Sequence, residues 1–297
     1  MKSRRTQIPL HIMMIPAIVL AFLFSYVPLA GIAIAFQRFV PNRGLFGSDW
    51  VGLDNFRYVF NIPDFGQVVF NTVYIAVLKI VTGLIVPVVT ALLLNEMRIK
   101  FFKRSVQTLI YLPHFLSWVI LGGILIDVLS INTGVVNQMI AYLGFKPIYF
   151  LGNNNWFPIT AVLTDTWKEY GFATIVYLAA LTSIDPALYE ASQVDGAGRW
   201  KQTMHITLPG MAPIMILLAV LSLGNVLNAG FEQIFILYSP QVYESGDIID
   251  TLVYRIGFLD AQYSVSTAVG LFKSVISLAL IIISYRMAYK FANYRIF

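Results

Sequence analysis

Three ionisable side chains stand within five residues of one another in Asp165-Thr166-Trp167-Lys168-Glu169-Tyr170-Gly171-Phe172, inside a run that is otherwise apolar. On a helix these three cover more than half the circumference, so at least one points into a bundle. Asp165 and Glu169 are four apart and share one face. Carboxylates accept hydrogen bonds from hydroxyls, an ammonium donates them, and Trp167, Tyr170 or Phe172 offers a flat apolar surface. Further along, Asn225, Asn228, Glu232 and Gln233 add amides and a carboxylate of the same kind. The same spans also carry Lys79, Asp127 and Lys273. A charge near the centre of a bilayer costs roughly 2.5–3.5 kcal/mol on insertion scales, so these groups face a cavity or one another. Mutual neutralisation accounts for Lys79 and Asp127 equally well, and Lys273, near an outer end, can snorkel.

The elements that position these groups follow from composition. Hydrophobic residues make up 58% of the 297-residue chain and charged ones 12%, against about half and a quarter in soluble domains. The chain therefore reads as an all-α integral membrane protein forming a single domain, 1–297. Six apolar stretches, near 12–36, 68–94, 105–130, 156–182, 208–230 and 266–290, are long enough as helices to cross a hydrocarbon core of about 30 Å. The first is too long for a signal-peptide core and lacks a clear cleavage site. Lys2, Arg4, Arg5, Arg98, Lys100, Lys103, Arg104, Arg199, Lys201, Arg286, Lys290 and Arg295 all fall on one side of the spans. By the positive-inside rule that side is cytoplasmic, with both termini on it. Val40 to Gln67 is a turn-rich outer loop, with a short helix expected near Leu53–Phe60, and Phe231–Tyr263 is apolar enough to dip back into the bundle.

One stretch on the cytoplasmic side is polar, running from Asp185 to Pro209. Asp185 suits an N-cap and Pro186 a first helical position, so a helix should run to about Gln193. Asp195, Gly196 and Gly198 break it, and a second short helix follows through Arg199, Trp200 and Met204 until Pro209. Within it, Glu190-Ala191-Ser192, then Gly196, then Ile206-x-Leu208-Pro209 resembles the cytoplasmic "EAA" loop of permease subunits of binding-protein-dependent ABC importers. Ser192 stands where that pattern has a second alanine. Val51-Gly52-Leu53-Asp54-Asn55-Phe56, Asn71-Thr72, Tyr111-Leu112-Pro113-His114-Phe115 and Thr166-Trp167 extend the resemblance over nearly the whole chain. They are similar to permeases of the maltose type, those of oligosaccharide and polysaccharide-fragment importers above all.

The resemblance implies a type I importer permease fold with a coupling helix, in a bacterial cytoplasmic membrane. It implies a second, homologous permease, an ATPase dimer that binds ATP and magnesium, and an extracytoplasmic solute-binding protein that delivers an oligosaccharide. Glu190, Ala191, Ser192, Asp195, Gly196, Ala197 and Pro209 are then the coupling residues. Asp165, Lys168, Glu169, Phe172, Asn225, Asn228, Glu232 and Gln233 line the substrate path.

Several classes are excluded or disfavoured. No G-x-x-x-x-G-K-[ST] loop occurs, so ATP hydrolysis belongs to another polypeptide and no catalytic residue or cofactor is expected in this chain. The absence of cysteine removes disulfides and thiolate metal sites, and His11, His114 and His205 are too far apart for a histidine metal site. There is no basic tract to hold nucleic acid. A peptide or phosphate importer shares the same loop. A proton-coupled carrier could use Asp165 and Glu169, but no inverted repeat is visible. A serine protease would need more than Ser117 and His114 on one span.

Overall fold

The computed structural model describes residues 3–292, with side chains from 11 to 286. Lys2 and Arg295, two of the expected cytoplasmic cations, lie outside the described residues, as do the side chains of Arg4, Arg5 and Lys290. The described residues form two compact units, 3–65 with 252–272, and 66–251 with 273–292. The divisions fall inside helices rather than in a linker.

In the first unit, α1 (Ser3–Ala21) continues through a π turn (Phe22–Tyr26) into a 3-10 segment ending at Phe36. Pro28 has no N–H to give to the preceding turn. The wider π turn, closed by the Val27 N–H on the Phe22 carbonyl, accommodates it. The 26-residue run His11–Phe36 is strongly apolar, and Ala35 is its one residue buried within the chain. Strands β1 (Gln37–Arg38) and β2 (Asp49–Trp50) pair antiparallel around the short α2 (Gly44–Gly47), and α3 (Asp54–Phe60) follows in place of the helix expected there. The Asn55 amide donates to the carbonyls of Ala35 and Gln37, both at 2.9 Å, and so fixes the chain as it leaves the first span. Gly52, at φ +61°, supplies the reversal before it. Two residues of the outer-loop motif thus have structural duties.

The second unit begins in α4 (Phe65–Glu96), 32 residues with Pro87 inside. Next come α5 (Lys100–Tyr111), a 3-10 turn (Leu112–Phe115) and α6 (Trp118–Val128), which leaves at 104° to its predecessor. The third span, expected as one helix over 105–130, is therefore broken. Pro113 cannot donate to the helical ladder, and Ser117 restarts it as an N-cap, accepting the Ile120 N–H. After α7 (Val135–Tyr142), α8 (Phe157–Thr182) runs 26 residues and carries all three charges of the cluster.

The polar stretch forms α9 (Pro186–Val194) and α10 (Arg199–Gln202). The expected end at Pro209 does not occur. A π turn (Thr203–Thr207), closed by the Leu208 N–H on the Thr203 carbonyl, absorbs the proline, and the helix continues as α11 (Leu208–Leu223). The fifth apolar helix thus spans Arg199–Leu223 and stops before Gly224, seven residues short of the predicted 230. The segment expected to dip back does pack inward. In α12 (Phe231–Leu237), Ile234 and Leu237 join Ile75, Leu121, Phe157 and Ile248 in the main core. The short α13 (Tyr243–Gly246) and α14 (Ile249–Tyr254) lead to α15 (Tyr263–Ala292). Asn71 donates to the carbonyls of Glu244 and Asp247, and the Thr72 hydroxyl accepts the Ile249 N–H, which fastens this return segment to α4.

Among the described residues four helical runs are long and apolar enough to cross a membrane, or six if each bent pair is one span. Replacing Asn55 with alanine leaves two carbonyls without their shared donor. We expect a loss of about 1–3 kcal/mol, read as a lower melting temperature of the purified protein in detergent; an unchanged value would mean that water substitutes.

Candidate functional site

The charged cluster of α8 divides into two polar knots. In the deeper one, the Lys79 ammonium on α4 donates to Asp165 Oδ1 (3.2 Å), to the Ala229 carbonyl (2.7 Å) and to Gln233 Oε1. An ammonium has three donors, and all three are used. Gln233 completes the knot by donating to the Ala161 carbonyl and Thr164 Oγ1, both at 2.7 Å. Gly230, at φ +88°, lets the chain turn there, and a side chain would meet the Lys79 ammonium 2.8 Å away. Gln233 is fully buried, so it pins α12 to α4 and α8 rather than facing a cavity.

The shallower knot lies at the broken third span. Breaking the helix frees the His114 carbonyl, and the buried Lys168 ammonium donates to it at 2.9 Å. The same ammonium reaches Glu169 Oε1 (2.9 Å) and lies 5.6 Å from the centre of the Trp118 ring. The other oxygen of Glu169 is 2.7 Å from His114 Nδ1. The His114 imidazole stacks on Phe172 at 4.1 Å, and Phe115 stands edge-on to both. Phe115 is 72% exposed and Phe172 44%, while the Glu169 side chain is 43% exposed. A carboxylate thus sits beside two accessible aromatic rings, the pairing that holds a sugar by its hydroxyls and its apolar face. Gly171 makes the arrangement possible, because any side chain there would run into the Ile110 carbonyl of α5.

The predicted path residues therefore separate. Asp165, Lys168 and Gln233 serve the internal knots, whereas Glu169 and Phe172 reach the surface. Asn225, Asn228 and Glu232 are also exposed, in and just after the irregular link 224–230. Lys79 brings that link, through Ala229, against Asp165. His114 and Phe115 went unassigned to the site; their signal in the sequence was Pro113 beside aromatic residues, which marks a break. Lys273 does not snorkel. It is paired with Asp250 at 2.5 Å, both largely shielded. Asp127 is exposed near the end of α6. Ser117 caps α6 and His114 faces Glu169, so these two do not face each other as nucleophile and base.

At the other end, Asp185 Oδ1 accepts the Ala187 N–H at 2.9 Å and starts α9 as expected. The helix ends in a Schellman turn: Ala197 N–H bonds the Ser192 carbonyl, Gly196 N–H bonds that of Gln193, and Gly196 takes φ +75°. Glu190, Ala191, Asp195, Gly196 and Pro209 are exposed, while Ser192 and Ala197 are half-buried.

Residues 83–293 match the family described as the binding-protein-dependent transport system inner membrane component. The chain belongs to that family. As a binding-protein-dependent inner membrane component it is 43% identical over 284 residues to the polygalacturonan/rhamnogalacturonan transport system permease protein YteP of Bacillus subtilis (strain 168), covering 96% of this chain and 88% of that one. Its fold matches a chain of a bacterial ABC transporter involved in the import of the acidic polysaccharide alginate, with a TM-score of 0.90, 39% identity and 98% of each chain covered. A second structure, of the bacterial alginate ABC transporter with an alginate pentasaccharide-bound periplasmic protein, matches at 0.89 and 38% identity, over 98% of this chain and 97% of that one. The predominantly helical path described above is thus the type I permease fold of this family.

Lys79→Met would strand Asp165 in a protein interior. Losing one partner of such a pair costs on the order of 3–5 kcal/mol, and Lys79→Met with Asp165→Leu should recover part of it in thermal melts of the purified protein. Equal stability of the single variant and the wild type would sink this account of the knot.

Proposed function

We propose that this chain is the membrane-spanning permease subunit of an ATP-driven importer that moves an oligosaccharide, or a polysaccharide fragment, into the bacterial cytoplasm. The observation that carries the proposal is one continuous connection. The exposed carboxylate and aromatic rings at Glu169, Phe172 and Phe115 lie on or against α8, which leads directly into the exposed helix and turn of Glu190, Ala191 and Gly196. The names of its relatives, which carry polygalacturonan, rhamnogalacturonan or alginate, support a carbohydrate over a peptide or phosphate.

In this reading both termini and α9 are cytoplasmic, and an extracytoplasmic binding protein delivers the sugar to a path completed by a second, homologous permease. An ATPase dimer holds ATP and magnesium. One ATPase subunit docks on the surface formed by Glu190, Ala191, Ser192, Asp195, Gly196 and Ala197, with Pro209 behind it. ATP binding closes the ATPase pair and moves α8 through the turn at 183–185; hydrolysis resets it. Glu169 and Phe172, with Asn225, Asn228 and Glu232, contact the sugar in passage. Asp165, Lys168 and Gln233 hold the walls in place.

Two experiments test this. Gly196→Asp suits the first, since open space surrounds that position in the chain and aspartate is among the few residues that adopt the left-handed backbone, at a modest strain. The altered protein should fold yet lose the ATPase on purification from native membranes in mild detergent, whereas the wild type retains it with a second permease. Wild type that arrives without an ATPase, yet accumulates sugar on a proton gradient, would overturn the importer reading. In the second, Phe172→Ala should lower oligosaccharide uptake by about tenfold, the loss expected for one aromatic contact of about 1–1.5 kcal/mol, with the ATPase still attached. Unchanged uptake would remove Phe172 from the path.

A further inference from the structure

The coupling helix α9 is joined to the rest of its unit by polar ties around a cavity. That cavity, about 750 Å3, is walled by Leu92 and Leu93 of α4, Tyr189 and Gln193 of α9, and Met204 and Leu208. Besides the direct packing of α8 and α11 on α4, displacement of α9 can reach the inner end of α4 through the groups that cross this opening.

Among the described residues two ties hold α9 to the segment that follows it, and a third carries that segment to α4. Gln202 Nε2 donates to Ser192 Oγ at 3.0 Å, while that hydroxyl donates to its own helix at the Tyr189 carbonyl. The Tyr189 hydroxyl meets Thr207 Oγ1 at 3.0 Å, in the π turn that leads into α11. Arg199, the first residue of α10, reaches Glu96 Oε2, at the last residue of α4, at 2.8 Å. Ser192 is the residue that departs from the alanine of the family pattern, and alanine could make neither of its hydrogen bonds.

We propose that Ser192, Gln202, Arg199 and Glu96 form a coupling brace, which carries movement of the docked α9 to α4 as well as to α8 and α11. The proposal rests on the importer reading above. Its residues are positioning residues: they touch neither sugar nor nucleotide. From Glu96, α4 runs about 25 Å to Lys79, where the deeper knot holds Asp165, Ala229 and Gln233. The brace thus gives the ATPase a second mechanical route to the polar centre of the bundle. Glu96 and Arg199 are both more than half exposed, and such pairs add little to stability. Reversing the charges of this pair therefore leaves the fold standing.

The test uses the complete transporter in proteoliposomes, measuring ATP hydrolysed per sugar imported. Arg199→Glu and Glu96→Arg should each retain the ATPase on purification but raise that ratio about threefold to tenfold. Glu96→Arg with Arg199→Glu should bring it back toward the wild-type value, as Arg199→Lys should by keeping the charge. Because the chain has no cysteine, Glu96→Cys with Arg199→Cys, joined by a short bis-maleimide, asks whether the tie persists through the cycle; import should survive the cross-link. An unchanged ratio in both single reversals, failure of the paired reversal to restore it, or abolition of import by the cross-link would overturn the brace and leave the importer reading intact. Wild type lacking an ATPase would instead overturn the importer reading and the brace with it.

Discussion

An ammonium group in the middle of a membrane must find its partners inside the protein, and the rest of this structure depends on how Lys79 does so. Its three bonds join α4 to α8 through Asp165, and to the start of α12 through Ala229 and Gln233. Each bond reaches a different segment or a different turn. The lysine therefore fixes a junction of three elements, where a hydrophobic side chain would have given only non-directional contact. Gly230 and the buried Gln233 follow from it, one to let the backbone pass the ammonium and the other to complete its shell. The shallower knot repeats the principle at the broken third span, where Lys168 compensates a carbonyl that a continuous helix would have satisfied.

The division between charges that hold and charges that are offered comes out of this requirement. Lys168 is satisfied within the protein and leaves Glu169 partly exposed beside Phe172 and His114. The lysine orients the carboxylate, and the rings shape the surface around it. A site of this kind is pre-formed, since its donors and acceptors are set by the same bonds that hold α8 against the third span.

Much of the architecture was legible in the sequence because the membrane imposes simple rules. Length and apolarity located the apolar helical runs, four of them continuous and two as bent pairs among the described residues, and Asp185, Pro186 and Gly196 delimited α9 by their own backbone preferences. Proline was harder to read. Pro113 broke a span, Pro209 did not end a helix, and Pro28 and Pro209 were each absorbed by a π turn that leaves no mark in composition. The roles of the polar residues were legible only as a set. Asp165, Glu169 and Gln233 are alike in type and in hydrophobic surroundings. Which of them turns inward depends on a lysine 86 residues away from Asp165 and 154 from Gln233, and spacing along one helix cannot encode that.

The pairing of the three membrane lysines has a bearing on electrical behaviour. Lys79 with Asp165, Lys168 with Glu169, and Lys273 with Asp250 each place opposite charges side by side in one chain. Carrying a single charge through the full field costs about 2.3 kcal/mol per 100 mV, but a pair that shifts as a unit transfers almost none. Rearrangements of this bundle are therefore close to electrically silent in these six groups. A rise or collapse of the membrane potential would thus do almost no work on these six groups.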